Sequence, residues 1–371
     1  MTDTIDRTIG FGILGSGNMA RVYADALATQ VTGGRLVAVA MGSRAATLAA
    51  EYGAAVEPDA EALLARPDVD VVVVATPHST HRELGVAAAY AGKHVYLEKP
   101  MARTVEECDA IISAARANKV MVTVAKQTRH MEMAMKAKEL IEDGAIGDVR
   151  IIRAMSPFSD YGLPSDHWLN DPGEGDCFLD WGSHACDAFR WFTGSDATRV
   201  YADYANFSAM EARWPTSLVQ LRMASGAICQ ALLSYEIPEP GLGSGANNQY
   251  LIIGGRGMIE WDLDTCRVTR TETLPADAAA TGSGGFFTSA PKAAARWETV
   301  LELPSWTKEW DPRNPRRIGN TARQVQAFIG ALTGGYEPRV SGADGRAAIE
   351  MVQAASLSAA TGQAIHLPLR D

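Results

Sequence analysis

Two short stretches carry residue types suited to proton-transfer chemistry: Tyr96-Leu97-Glu98-Lys99-Pro100 and Asp180-Trp181-Gly182-Ser183-His184-Ala185-Cys186-Asp187. A lysine in an apolar cleft is readily desolvated, and it stays charged only against a compensating carboxylate or hydroxyl. Lys99 fits that description; the plainer alternative is a strand-end lysine paired with Glu98 on the surface. In the second stretch Ser183 is expected to cap a helix on which His184, Asp187 and Trp191 share a face at i, i+3, i+7. A helix N-terminus disfavours imidazolium and favours carboxylate. His184 is then expected neutral and able to accept a proton while Asp180 stays ionised, the pattern a hydroxyl-oxidising base requires. The alternative is a His184–Asp180 hydrogen bond that only holds the fold.

The elements that must position these residues begin with an apolar run, Ile9 to Leu14, ending in Gly15-Ser16-Gly17-Asn18-Met19-Ala20. Val22, Tyr23, Ala26 and Leu27 then mark one face of a helix. Strand, glycine turn and helix in that order give the G-x-G-x-x-A pattern its meaning as a dinucleotide fingerprint. Gly15 permits the tight turn, Gly17 lets backbone approach a pyrophosphate at the helix N-terminus, and Ala20 still allows close packing. The next strand, Arg35 to Met41, should end at the adenosine ribose, where an NAD site usually has an acid. This chain has Met41-Gly42-Ser43-Arg44, so nothing repels a 2′-phosphate and Ser43 with Arg44 can bind one. That leans toward NADP, although Arg44 can equally stack on adenine or cap the following helix.

Asp68 to Ala75 contains four consecutive valines, the continuous apolar run of a strand buried on both faces. It ends in Thr76-Pro77-His78-Ser79-Thr80-His81, a turn expected to line the cofactor at the carboxyl edge of a parallel sheet. His78 and His81 at i, i+3 without a nearby carboxylate or cysteine make a poor metal site, and no metal is expected. His94 to Leu97 is another strand and delivers Glu98-Lys99-Pro100 to the same edge. A capping box at Thr104-Val105-Glu106-Glu107 starts a helix carrying Val105, Cys108, Ile112 and Ala115, and Val120 to Ala125 closes the unit. Strands alternating with helices predict a doubly wound parallel sheet over residues 1–127, the dinucleotide-binding domain.

From 128 to 371 the pattern changes. Met133, Ala137, Leu140 and Ile141 stripe a helix that stops at Asp143-Gly144. Strands are predicted at 149–154, 200–206, 217–223, 228–237, 249–253 and 257–263, joined by turns. That is a substrate-binding and oligomerisation α/β domain on a large, mostly antiparallel open sheet, one face of which can support association. Residues 240–248 and 276–285, with the stretch 304–312, look insertional, and two helices are expected near 320–332 and 343–361. All eight tryptophans lie after residue 127, which suits stacking on sugar C–H surfaces as well as ordinary core packing.

At 371 residues the chain exceeds what one growing core usually fills, so two domains are expected. A net charge of -10 argues against nucleic acid or an anionic membrane as partner. The five cysteines form neither a C-x-x-C pair nor an even disulfide framework. The N-terminus shows no signal pattern and no apolar run approaches the about 18 residues of a membrane span. A reduced, soluble, cytoplasmic protein is expected.

The chain resembles the Gfo/Idh/MocA oxidoreductases, the family of glucose–fructose oxidoreductase and inositol dehydrogenase. The resemblance rests on Gly15–Ala20, Ala75-Thr76-Pro77 with His81, Glu98-Lys99-Pro100, Gly144-Ala145-Ile146-Gly147, Asp180-x-Gly182-x-His184-x-x-Asp187 and Arg339–Gly345. It implies NAD(P)-dependent redox chemistry on a sugar or polyol, in a homodimer or homotetramer. By position Lys99 polarises the reacting oxygen and contacts the nicotinamide ribose, His184 is the acid/base, and Asp180 orients it or holds a neighbouring substrate hydroxyl. Gly15, Gly17, Asn18 and Met19 cover the pyrophosphate. Ser43, Arg44, Thr76, Pro77, His78, His81, Glu98, Lys99 and Gln127 complete the expected cofactor contacts; Arg129, His130, Tyr161, His167, Trp168, Asp180 and His184 are the expected substrate contacts. His78 stands where the family commonly has Asn. Two other readings use the same fold: a redox-neutral glycosidase or lyase that oxidises its sugar transiently, and a non-catalytic NAD(P) sensor. Lys99-Pro100 is a candidate cis peptide.

Overall fold

Val71–Val74 (β4) are all fully buried, at the centre of a six-stranded parallel sheet. The computed structural model describes residues 7–157, 168, 171–207, 215–236, 249–262, 267–273, 295–304 and 312–369. Around β4 stand β1 (Ile9–Leu14), α1 (Asn18–Thr29), β2 (Gly34–Ala40), α2 (Ala45–Glu51), β3 (Ala55–Glu57) and α3 (Ala60–Leu64). The unit continues with α4 (His81–Tyr90), β5 (His94–Leu97), α5 (Val105–Ala117) and β6 (Val122–Val124). The strand order β3-β2-β1-β4-β5-β6 places the crevice between β1 and β4, where the order reverses. The stripe expected on α1 is buried: Val22, Tyr23, Ala26 and Leu27. Thr104 caps α5 by accepting from the Glu107 N–H, but the Glu107 carboxylate accepts from Arg103 N–H instead of closing the box on Thr104. The Lys99–Pro100 peptide is cis.

The second sheet has nine strands among the described residues, in the order β14-β13-β12-β11-β7-β10-β9-β8-β15. They are β7 (Val149–Pro157), β8 (Ala197–Ala205), β9 (Thr216–Met223), β10 (Ile228–Ser234), β11 (Gln249–Gly254), β12 (Met258–Asp262), β13 (Arg267–Thr273), β14 (Ala295–Glu302) and β15 (Ile365–His366). Every pairing is antiparallel except β7 with β10. Helices α6 (Glu132–Glu142), α7 (Ser183–Thr193), α8 (Pro315–Gly334) and α9 (Gly342–Thr361) complete the fold. On the other face of the sheet Ile151, Tyr201 and Leu218, with Trp297 of β14, stand exposed.

The architecture matches the expectation, with two differences. The strands β13, β14 and β15 are not among the predicted ones: β13 and β14 lie at one edge of the sheet and are largely polar, and β15, at the other edge, is two residues long, so none shows the apolar run used to find the others. Helix α8 does not stay with the second sheet. Its Val325, Phe328, Ile329 and Leu332 share one core with Ile9, Phe11, Ile13 and Tyr23 of the parallel unit. The stretches 240–248 and 276–285 lie outside the described residues, as do 305–311. No described helix is long and apolar enough to cross a membrane.

Candidate active site

Lys99 follows β5 directly, so its side chain leaves the carboxyl edge of the parallel sheet. Its ammonium is ion-paired with Asp180 Oδ1, with the Asp180 carbonyl at 3.4 Å. The surface pairing with Glu98 does not form. Glu98 is buried and accepts from the Lys99 backbone N–H at 3.0 Å and from the Tyr23 hydroxyl at 2.7 Å. Burial pushes its carboxyl up, against the opposing pull of Tyr23 and Lys99. The Glu98 side chain therefore braces the turn from within.

Asp180 sits in a widened helical turn, Phe178–Gly182, that runs straight into α7. Gly182 is required there, since a Cβ would lie 2.4 Å from the Phe178 ring. Besides Lys99, Asp180 receives a hydrogen bond from the Tyr235 hydroxyl at 3.3 Å and has His78 Nε2 at 3.7 Å. Burial alone would raise this carboxyl, but the charge of Lys99 and the bonds from Lys99 and Tyr235 outweigh it and hold it low. Asp180 is ionised, as expected, though its partner is Lys99 and not His184.

His184 is placed differently from the sequence expectation. Ser183 does not cap α7: Gly182 has helical dihedrals and no side-chain cap bond exists, so the chain winds continuously into the helix. No free helix N-terminus acts on the imidazole. Burial, followed by the positive charges of Lys126 and Lys99, pushes His184 well below the usual range. Its Nδ1 is buried with no hydrogen-bond partner among the described residues. One indole joins the two functional groups, with Lys99 Nζ 5.3 Å from the Trp181 ring centroid and the His184 ring 5.8 Å from it.

The remaining expected residues divide sharply. His78 stands beside Asp180: it is buried, donates from Nδ1 to the Glu174 carbonyl at 3.0 Å, and meets Trp168 edge-on at 4.8 Å. His81 is fully buried, its ring nitrogens 2.8 and 3.0 Å from the Pro100 and Thr76 carbonyls, so it ties two strand ends together. Arg129 is buried in an ion-pair network. It makes a bidentate pair with Asp187 at 2.7 and 2.9 Å, with further bonds to Asp344 and the Arg339 carbonyl. Asp187, one turn on from His184 along α7, is taken up by this pair. His130 is buried beside Arg339, Arg129 and Arg323, and burial with those charges pushes it down to about 3. Trp168 does reach the cluster, through His78; Tyr161 and His167 lie outside the described residues.

The glycine turn fits a dinucleotide. Gly15 has φ +110, and a Cβ there would be 2.3 Å from the Ala75 carbonyl. Above Gly17 a Cβ would meet nothing nearer than the Arg44 guanidinium at 4.0 Å. The first turn of α1 has neither a side-chain cap nor an acidic residue, so its N–H groups are open to an anion, with Asn18 exposed and Met19 half-buried beside them. Ser43 and Arg44 are exposed at the end of β2, where Arg44 N–H donates to Ser16 Oγ at 3.2 Å. Thr76, bonded from Thr80, and Pro77 stand at the β4 edge, and Gln127 is half-buried just past β6. Sequence reasoning missed Tyr235, Tyr23, Glu174 and Lys126. Lys126 had a signal: it follows a parallel strand's carboxyl end, as Lys99 does.

Burial also holds His78 down to about 3. Between pH about 6.5 and about 3 the unfolded chain binds protons at His78 and His130 that the folded chain refuses, so stability falls as pH falls. The slope is about 1.4 kcal/mol per pH unit for each histidine, offset in part by Glu98. Urea titrations from pH 6.5 to 4.5 are expected to show this decline, reduced in His130→Gln; a flat profile contradicts it.

Comparison with known proteins agrees with this fold. Residues 9–126 match the model described as an oxidoreductase family with NAD-binding Rossmann fold, and residues 134–260 match the GFO/IDH/MocA C-terminal domain. The chain is 28% identical to an inositol 2-dehydrogenase of Rhizobium meliloti over 97% of its own length and 99% of the relative's. A shorter match, 34% identical and covering 38% of each chain, is to a 2,7-anhydro-N-acetylneuraminate hydratase of Mediterraneibacter gnavus. The crystal structure of an aldose-aldose oxidoreductase from Caulobacter crescentus shares the fold with a TM-score of 0.79 at 24% identity, over 97% of this chain and 100% of that one. The chain belongs to the Gfo/Idh/MocA oxidoreductase family, whose NAD-binding Rossmann fold is its N-terminal unit.

Proposed function

We propose that the protein moves a hydride between nicotinamide and a carbinol carbon of a sugar, glycoside or polyol. The observation that carries this reading is the ionised Lys99–Asp180 pair and the neutral His184 gathered on one indole at the carboxyl edge of the dinucleotide sheet. A bound NAD(P), held at Gly15, Gly17, Asn18 and Met19, supplies the hydride-accepting chemistry. The Lys99 ammonium donates to the substrate oxygen and stabilises its developing negative charge. His184, kept neutral, has a lone pair for the hydroxyl proton. Asp180, braced by Tyr235, fixes where the ammonium stands. Trp168 and Trp181 offer apolar ring surface suited to sugar C–H faces.

We also place the protein in the cytoplasm, in line with its buried free thiols, and infer a homodimer or homotetramer built on the open sheet face. Light scattering is expected to give two or four times the monomer mass, and Leu218→Asp is expected to lower it; a wild-type monomer removes the inference. The 2′-phosphate preference stays with Arg44, whose guanidinium makes no ion pair among the described residues. Arg44→Ala is expected to weaken NADP about tenfold or more, the size of a charged hydrogen bond, and to spare NAD. An unchanged NADP affinity beside tighter NAD binding reverses that lean.

Screening aldoses, inositols and glycosides with both cofactors identifies the substrate by stoichiometric appearance of reduced nicotinamide; turnover without it favours redox-neutral chemistry. Lys99→Ala is expected to bind cofactor normally and to lose about two orders of magnitude or more in kcat. Near-full turnover in that variant removes the assignment.

A further inference from the structure

Lys126 is 1% exposed and lies just past β6, with its ammonium donating to the Ser183 carbonyl at 2.8 Å. That is its one hydrogen bond, and it makes no ion pair, among the described residues. Asp187, on the neighbouring helix α7, is already committed to Arg129. A buried ammonium with two of its three donors unused is costly, and a methionine of similar shape would fill the slot more cheaply. The carbonyl it grips belongs to the peptide that leads directly into His184. Among the described residues, the Lys126 ammonium donates a hydrogen bond to the first turn of α7 alone.

We infer that Lys126 is a positioning residue for the acid/base: it pins the first turn of α7, on which His184 stands, and sets a positive charge beside the imidazole. This rests on the reading of His184 as the group that exchanges the hydroxyl proton. The charged groups acting on His184 are Lys126 from the β6 edge and Lys99 from the β5 edge; Asp180, in its own preceding turn, is spent on Lys99. Around Lys126 stand Asp187 and Cys186 of α7, with Lys99 and Arg129. Burial pushes Lys126 down to about 8, which leaves it protonated at neutral pH. After burial itself, Lys126 lowers His184 more than Lys99 does.

The sign follows directly. Removing a neighbouring positive charge makes imidazolium easier to form, so the His184 pKa rises and the acidic limb of kcat/KM for oxidation moves to higher pH. The test compares wild type, Lys126→Met and Lys126→Arg, with Lys126→Gln as a second neutral replacement should methionine impair folding. One readout is the pH profile of kcat/KM. The other is the ring-nitrogen NMR titration of His184, assigned by its loss in His184→Gln. Both neutral variants are expected to raise the limb and the imidazole pKa together by about one unit, with cofactor KM unchanged, and arginine is expected to restore both. A lysine that only fills space would lower thermal stability and leave both titrations in place, and that result overturns the inference. If the wild type reduces no NAD(P) with any substrate, the functional reading has failed, whereas the NMR titration still decides the role of Lys126.

Discussion

The ion pair between Lys99 and Asp180 is the constraint around which the rest is arranged. One partner hangs from the carboxyl end of β5 in the parallel sheet; the other sits in the widened turn before α7. The Asp180 side chain is 6% exposed and that of Lys99 21%, so the carboxylate is the interior anchor and the ammonium the end presented to the cleft. A buried pair of this kind adds little net stability, because desolvating two charges offsets most of their attraction. What it does contribute is geometry, since an uncompensated Asp180 in that position would be strongly disfavoured. The two sequence stretches are thereby held face to face, and Asp180, fully engaged, is not available as a partner for His184.

A second buried pair supports the first from behind. Arg129, Asp187 and Asp344 link the chain after β6 to α7 and α9, with Arg190 of α7 also reaching Asp344 at 2.9 Å. These contacts fix how α7 is rotated, and therefore where His184 points. Residues adjacent in sequence take opposite tasks here: Lys126 and Gln127 stand at the site's edge, whereas Arg129 and His130 are given over to structure. Sites held on rigid elements by such supports keep reacting groups within tight tolerances.

The parallel unit was legible because its signals are local: a continuous valine strand, a glycine turn with φ +110, and an amphipathic α1 each announce themselves within a few residues. The antiparallel sheet was legible except at its β13–β14 edge, where polar residues face water on an element that buries little. The site was legible as a set of residues but not as a set of partnerships. Ser183 looked like a cap because serine often is one, yet the preceding turn is already helical and overrides that preference. Tyr235, at the end of β10, reaches Asp180 only through the tertiary fold, and no short-range pattern marks it. Arg129, His81 and Glu98 were polar residues near a crevice whose hydrogen bonds all turn inward, which only packing decides.

In the proposed reaction, the charges around His184 also constrain how the work of deprotonation is divided. Burial first, then Lys126 and Lys99, disfavours the imidazolium, so His184 stays ready to accept a proton and holds it weakly. A weak base removes a hydroxyl proton only if the oxygen left behind is stabilised, and Lys99 is the cation placed to do that. The two groups therefore act as one unit: the ammonium that lowers the affinity of His184 for protons also lowers the energy of the alkoxide. Lys126, withdrawn from the cleft, takes part in the first effect alone. This asymmetry separates the two lysines by mechanism: loss of Lys99 removes stabilisation of the reacting oxygen, while loss of Lys126 strengthens the base and narrows the pH range in which it is free.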